Sequence, residues 1–223
     1  MRILYLLFPL FLCSCSSKYH LFQVASNDAE QAENGMFSFA NEDLQVNYDF
    51  WSFGGTIWIE IINIGDENMR VDIAESYLLI NGRKTPHLTQ EEIVFASRES
   101  NFEPKVRVQL APYERYTFET YPIRLNQWNF PSKMDEVAFG EENSPIKIES
   151  HLIYQTRSDF KNSKTLKNEF WTSNIERTKA REFKQKEQEY ASSSHFFVFK
   201  DYTQFWVNFI LAVLEISVAF ASV

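Results

Sequence analysis

The chain has 223 residues, 22 of them Lys or Arg and 30 Asp or Glu, for a net charge of −8. That balance excludes a nucleic-acid footprint, which needs a basic surface, and it speaks against electrostatic binding to anionic lipid. Two cysteines in the whole length exclude a disulfide-dense scaffold, while 21 Phe, 10 Tyr and 5 Trp against 6 Gly favour strands and large apolar contacts.

At the N-terminus, Met1-Arg2 is a short positive start, Ile3 to Leu12 is almost wholly apolar, and Cys13, Ser14 and Cys15 follow. An apolar run of this length suits a secretory signal and is too short to span a bilayer, which takes ~20 residues. Leu12-Cys13-Ser14-Cys15 resembles the lipobox of bacterial lipoproteins, with Leu three before the cysteine and a small residue directly before it. Cys13 in the second position departs from that pattern. The resemblance implies cleavage before Cys15 and acylation of its thiol, with several acyl chains (palmitate among them) making a stable anchor. The other reading is an ordinary cleaved signal with incidental cysteines. Removing residues 1–14 leaves 209 residues and takes away only Arg2, so the remaining balance is 21 basic against 30 acidic, or −9. With Cys13 removed and Cys15 lipidated, no thiol is left for a disulfide, a metal site or cysteine catalysis.

Residues 15–35 are polar and small apart from Leu21-Phe22 and read as a tether from the lipid. The β signal starts near Met36. In "LQVNYDFW" Leu44, Val46, Tyr48 and Phe50 share one face, the period of two that marks a half-buried strand. "SFGG" is a turn, "TIWIEIINI" an apolar central strand, and "GDEN" a second turn. "MRVDI" sends Met69, Val71 and Ile73 inward, and "SYLLI" runs into Asn81-Gly82, a strong tight-turn signal. Residues 83–104 read as a long polar loop. "VRVQL" aligns Val106, Val108 and Leu110, Ala111-Pro112 breaks the strand, and "RYTFETYPI" resumes it. Residues 132–145 are an acidic loop, and "IKI" and "HLIYQ" are further strands. Short strands at this spacing, joined by turns, predict a mainly β fold, an antiparallel Ig-like sandwich over 36–157.

Residues 158–194 are highly charged and predict a surface helix with loops, and "HFFVF" opens 195–223 as a last buried strand. In the tail, Phe205 to Val223 carries a single charge, Glu215. As a helix it would be ~28 Å long, about the thickness of the bilayer hydrocarbon. Asn208 and Glu215 lie seven apart, on one helix face, and a Glu in lipid faces a protein partner or a polar cavity. A spanning tail would favour the inner membrane. The competing reading packs the same segment on the sandwich.

Residues 41–87 are similar to a group of uncharacterised lipoproteins from Bacteroidetes-type bacteria. The resemblance rests on Tyr48-Asp49-Phe50-Trp51, on Asn63 before a turn, and on Ser76 to Ile80. "LAPYERYTF" further resembles the strand, proline, turn and strand element of bacterial Ig-like envelope domains. These features imply fold and location, an envelope lipoprotein facing the periplasm. They bring no activity with them.

Candidates for chemistry are few. His87 stands four and five residues before Glu91 and Glu92, a metal-ligand spacing on a helix, but Pro86 and the polar setting favour a plain surface loop. His20, His151 and His195 have no ligand-like spacing. Asp49 reads as a structural hydrogen-bond acceptor. No catalytic or phosphate-binding motif is present. No cofactor and no enzyme activity are expected. Trp51 and Trp58 flank a turn and are the best placed of the aromatics (Tyr48, Phe50 and Tyr77 among them) to stack on a sugar or a partner. The expected task is that of a structural or accessory module that binds an envelope protein, held to membrane lipid through Cys15. The alternative is a glycan- or ligand-binding lipoprotein.

Overall fold

A computed structural model describes residues 18–88, 106–123, 135–159 and 161–200. The chain is mainly β. Thirteen described strands form two sheets, and every paired strand is antiparallel to its neighbour. The smaller sheet runs β2(Glu30–Gln31), β3(Phe37–Ala40), β4(Leu44–Asp49), β5(Trp58–Asn63) and β9(Arg115–Glu119). The larger follows the order β13(His195–Lys200), β1(Lys18–Ala25), β12(Lys164–Lys179), β11(Lys147–Thr156), β6(Met69–Ile80), β7(Arg83–Pro86), with β8(Arg107–Leu110) on β6 and β10(Glu136–Ala138) on β12.

Alternation dictates which face each strand buries. Leu44, Val46, Tyr48 and Phe50 are fully buried, as are Ile57, Ile59 and Ile61 on the next strand, and Met69, Val71 and Ile73 on β6. These side chains meet Phe22, Leu152 and Phe170 from the larger sheet in one core between the two layers. The ring of Phe170 lies 4.9–5.5 Å from those of Phe37, Phe39, Tyr48 and Phe50, so one β12 side chain joins the sheets. The Tyr48 hydroxyl donates to Ser150 Oγ at 3.0 Å and accepts from Asn168 Nδ2 at 2.7 Å, a buried polar link across the same core. Burial pushes that phenol up to about 12. At Asn81-Gly82 both residues have positive φ (52° and 76°), the backbone of a two-residue hairpin turn between β6 and β7.

Several segments depart from the sequence reading. The expected tether contains β1, an interior strand whose Phe22 and Val24 lie in the core and whose outer face carries Tyr19 and Leu21. The expected charged helical segment, 158–194, contains β12, sixteen residues long, ahead of its helix. Its alternation is hidden because it buries Asn168, Thr172 and Thr178, and because its pairing with β1 shifts by a residue at Ser173. The helix itself, α1(Ala180–Tyr190), is confined to a stretch of strong helix formers. "IKI" and "HLIYQ" are one strand, β11, and the loops expected at 83–104 and 132–145 contain β7 and β10. The apolar tail, Asn208 and Glu215 lie outside the described residues, among which no helix is long and apolar enough to cross a membrane.

"MRVDI" and "SYLLI" are also one strand, interrupted by a bulge. Tyr77 pairs with His151 but Asp72 with Ile153, so β6 inserts three extra residues opposite β11. Ser76, fully buried, closes the gap: its hydroxyl donates to the Asp72 carbonyl at 2.6 Å and accepts from the Ile153 N–H at 2.9 Å. Ser76→Ala should therefore lose about 1–3 kcal/mol, the cost of leaving such buried groups unmet. Urea denaturation measures it, and an unchanged midpoint would mean water replaces the hydroxyl.

Candidate functional site

The outer face of the larger sheet is where α1 and the segment after β4 converge. β12 runs into α1, which turns back over β1. Phe183, the helix's buried residue, stacks on Tyr19 at 4.1 Å and approaches Phe197 at 5.0 Å. Tyr190 stacks on Phe183 at 5.7 Å and donates its hydroxyl to Glu176 at 3.1 Å. Beyond the helix, residues 192–194 return the chain to β13. Gly35 packs there with φ +85, where an added Cβ would stand 2.2 Å from Ser192 Oγ and 3.1 Å from the Ser194 nitrogen.

After β4 the chain leaves the smaller sheet and runs along the free edge of β13. The Phe50 N–H donates to the Ser193 carbonyl, the Phe197 N–H to the Ser52 carbonyl, and the Gly54 N–H to the Phe197 carbonyl. This covers an edge that would otherwise invite pairing with another chain. It also sets Trp51 against Phe197 at 5.1 Å, with Phe53 at 5.9 Å from the same ring. Phe53 is 61% exposed. Trp51, Phe53, Phe197 and Tyr19 thus form a continuous aromatic surface with its outer end open to solvent.

The two tryptophans singled out in the sequence do not share this surface. Trp51 is half-buried against Phe197. Trp58 is 46% exposed and points away from the core, between buried Ile57 and Ile59, on the outer face of the smaller sheet. Tyr48 and Phe50 are core residues. Tyr77 stacks on His151 at 4.6 Å, under the Lys84 ammonium at 4.0 Å. The open Phe53 went unnoticed in the sequence, because "SFGG" reads only as a turn.

Between α1 and the strands lies a cleft of about 150 Å³, lined by Gln23, Asn174, Glu176, Glu189 and His195 among others. Burial lowers the His195 pKa, and its Nδ1 sits 3.2 Å from Ser194 Oγ. The cleft is smaller than ordinary small-molecule sites, which occupy ~300–1,000 Å³. Among the described residues no three His, Cys, Asp or Glu side chains gather as metal ligands. His87 is not a surface-loop residue: it is 3% exposed, edge-on to Phe118 at 5.2 Å, and burial lowers its pKa to about 4. Glu91 and Glu92 lie outside the described residues, as does Cys15. Asp49 accepts the Trp51 N–H at 2.8 Å, the structural role expected of it.

No family model and no curated protein matches the chain. Among solved structures it is similar to the Northeast Structural Genomics Consortium target SoR45, at 12% identity and a TM-score of 0.27, over 71% of this chain and 87% of that one. It is also similar to a structural-genomics target from Bordetella pertussis described as an ApaA protein, at 11% identity and a TM-score of 0.29, over 70% and 94% of the two chains. Likeness at that level identifies neither fold family nor activity.

Proposed function

We propose that this protein is a lipid-anchored module of a bacterial cell envelope that docks another envelope protein through the aromatic surface of Trp51, Phe53 and Phe197. The open Phe53 carries the reading. A Phe held 61% exposed beside two further aromatics leaves apolar area in water, and its backbone is fixed by the hydrogen bonds to β13. Support for the anchor is the signal-like run ending at Cys15, which also motivates the periplasmic location, while kinship with the Bacteroidetes-type lipoproteins draws on the resemblance over residues 41–87. The Ig-like assignment draws on two antiparallel sheets around one core. Strands β2 to β5 pair in sequence order, whereas an Ig domain joins its sheets by Greek-key connections, so the kinship proposed is one of sandwich architecture. Glycan binding through paired tryptophans is less well supported, since Trp51 and Trp58 stand on different faces.

A photo-crosslinking residue at position 53 of the full-length chain, irradiated in membranes, should yield a discrete protein adduct. The same probe at exposed Lys161, at the far end of β12, should not. Matching patterns from the two positions would overturn the assignment.

A further inference from the structure

We infer that the end of the larger sheet carrying Lys18, Lys179 and Lys200 is a binding surface for anionic phospholipid headgroups, holding the domain directly on the membrane rather than at the end of a tether. The inference rests on the lipid-anchor reading above and adds what the domain itself does there.

The register makes the cluster. Lys18 opens β1 and is the Cα partner both of Lys179, the last residue of β12, and of Lys200, the last residue of β13. Residues directly opposite in adjacent strands point to the same face, so the three lysines start from one face of three adjacent strands, their Cα row spanning ~10 Å. Like charges in that position repel. Lys18 and Lys179 have no ion-pair partner among the described residues. The nearby acids are few: Asp135 is engaged by Arg177 at 3.0 Å, Glu182 shares the first turn of α1 with Arg181, and Asp201 follows Lys200 in the sequence. Along α1 the positive Arg181, Lys184 and Lys186 are balanced by Glu182, Glu187 and Glu189, so the local surplus is that of the strand-end lysines. The shared field is felt by His20, whose pKa is lowered to about 4 by burial and then by Lys200, Arg177 and Lys18.

The position of this end matches the charge. Cys15 and Lys18 are three residues apart, so the acylated residue lies within ~11 Å of the start of β1 however the link is arranged. Because β13 is antiparallel to β1, the chain leaves the domain toward its apolar 205–223 segment beside the point where it enters from Cys15. The acylated residue and the apolar 205–223 segment therefore both connect to the domain at the lysine row. The chain's overall acidity averages this local surplus away. Each lysine at an anionic surface contributes on the order of a fivefold gain in partition, lost as salt screens it.

The test uses the full-length chain in vesicles of neutral phosphatidylcholine, or the same with phosphatidylglycerol, both doped with a headgroup-nitroxide lipid. A fluorophore is attached at Glu182→Cys near the row or at Lys161→Cys at the far end of β12; both sites are exposed. The near label should be quenched several-fold more than the far one. Its quenching should be stronger in the anionic vesicles and fall in 0.5 M salt (a Debye length of a few Å, ~3 Å at 1 M). The Lys18→Gln, Lys179→Gln, Lys200→Gln variant in anionic vesicles should read as the parent does in neutral ones. Equal quenching at both labels, or no dependence on lipid charge, overturns the inference. Intact mass tests the anchor separately. If the mass shows Cys15 unmodified, selective sedimentation with anionic vesicles still upholds the lysine surface. Equal sedimentation with both vesicle types, or with neither, overturns it.

Discussion

Phe170→Ala is expected to destabilise the domain by ~3–5 kcal/mol, the range for truncating a buried aromatic. Phe170 is 2% exposed and stands at the centre of five rings contributed by both sheets: those of Phe37 and Phe39 from β3, Tyr48 from β4, and Phe50 just beyond it surround its own. Removing it takes away the apolar area and opens a cavity that the neighbouring rings, held by the smaller sheet, close only in part. Against a total stability of ~5–15 kcal/mol for a domain, a loss of this size is enough to unfold a marginal protein. Equilibrium denaturation in urea measures it, and Phe170→Leu should lose distinctly less. A loss below ~1 kcal/mol for the alanine variant would show that the sheets collapse onto the gap, and that Phe170 does not join them.

Acid should weaken the fold well above the pH at which carboxylates protonate. Burial lowers the His87 pKa from 6.5 to about 4, and His20 is lowered to about 4 by burial together with the positive charges of Lys200, Arg177 and Lys18. Between pH 6.5 and 4 the unfolded chain therefore binds more protons than the folded one, and stability falls as the pH is lowered through that window. The stability is fully present above pH 6.5. For His87, which is 3% exposed, about 2 kcal/mol should be lost between pH 7.5 and pH 5, at ~1.4 kcal/mol per decade of proton affinity. His20 acts in the same direction. Urea midpoints at the two pH values measure the slope. His87→Phe, which keeps an aromatic ring against Phe118, should flatten it by about the His87 share. If the substitution leaves the slope as steep as in the parent, His87 takes up its proton in the folded state and the argument fails.

The parts of this fold that were legible in the sequence are those whose signal is local. Leu44, Val46, Tyr48 and Phe50, then Met69, Val71 and Ile73, alternate with polar neighbours, and alternation alone assigns their faces. Asn81-Gly82 supplies positive φ at both turn positions and so fixes the β6–β7 hairpin wherever the rest of the chain goes. Gly54 and Gly55 likewise supply positive φ at consecutive positions, 80° and 75°. The candidate site was legible in part. Trp51 was singled out, but the Phe53 beside it was not, because its exposure depends on how residues 50–54 run along a strand some 140 positions later.

What the sequence by itself determined is therefore a mainly β chain with an apolar face on each of its central strands, since a period of two requires only neighbours to be read. Only the tertiary structure decided that Lys18–Ala25 and Lys164–Lys179 are interior strands. On β12 the inward positions include Asn168, whose amide donates to the Tyr48 hydroxyl 120 residues away, and a bulge at Ser173 breaks the period. A polar residue on a buried face has no local signature; its partner in the other sheet makes its burial favourable. The lysine row belongs to the same class. Lys18, Lys179 and Lys200 are distant in sequence and unremarkable one by one, and the β13-β1-β12 order sets them side by side because strand pairing ignores sequence separation.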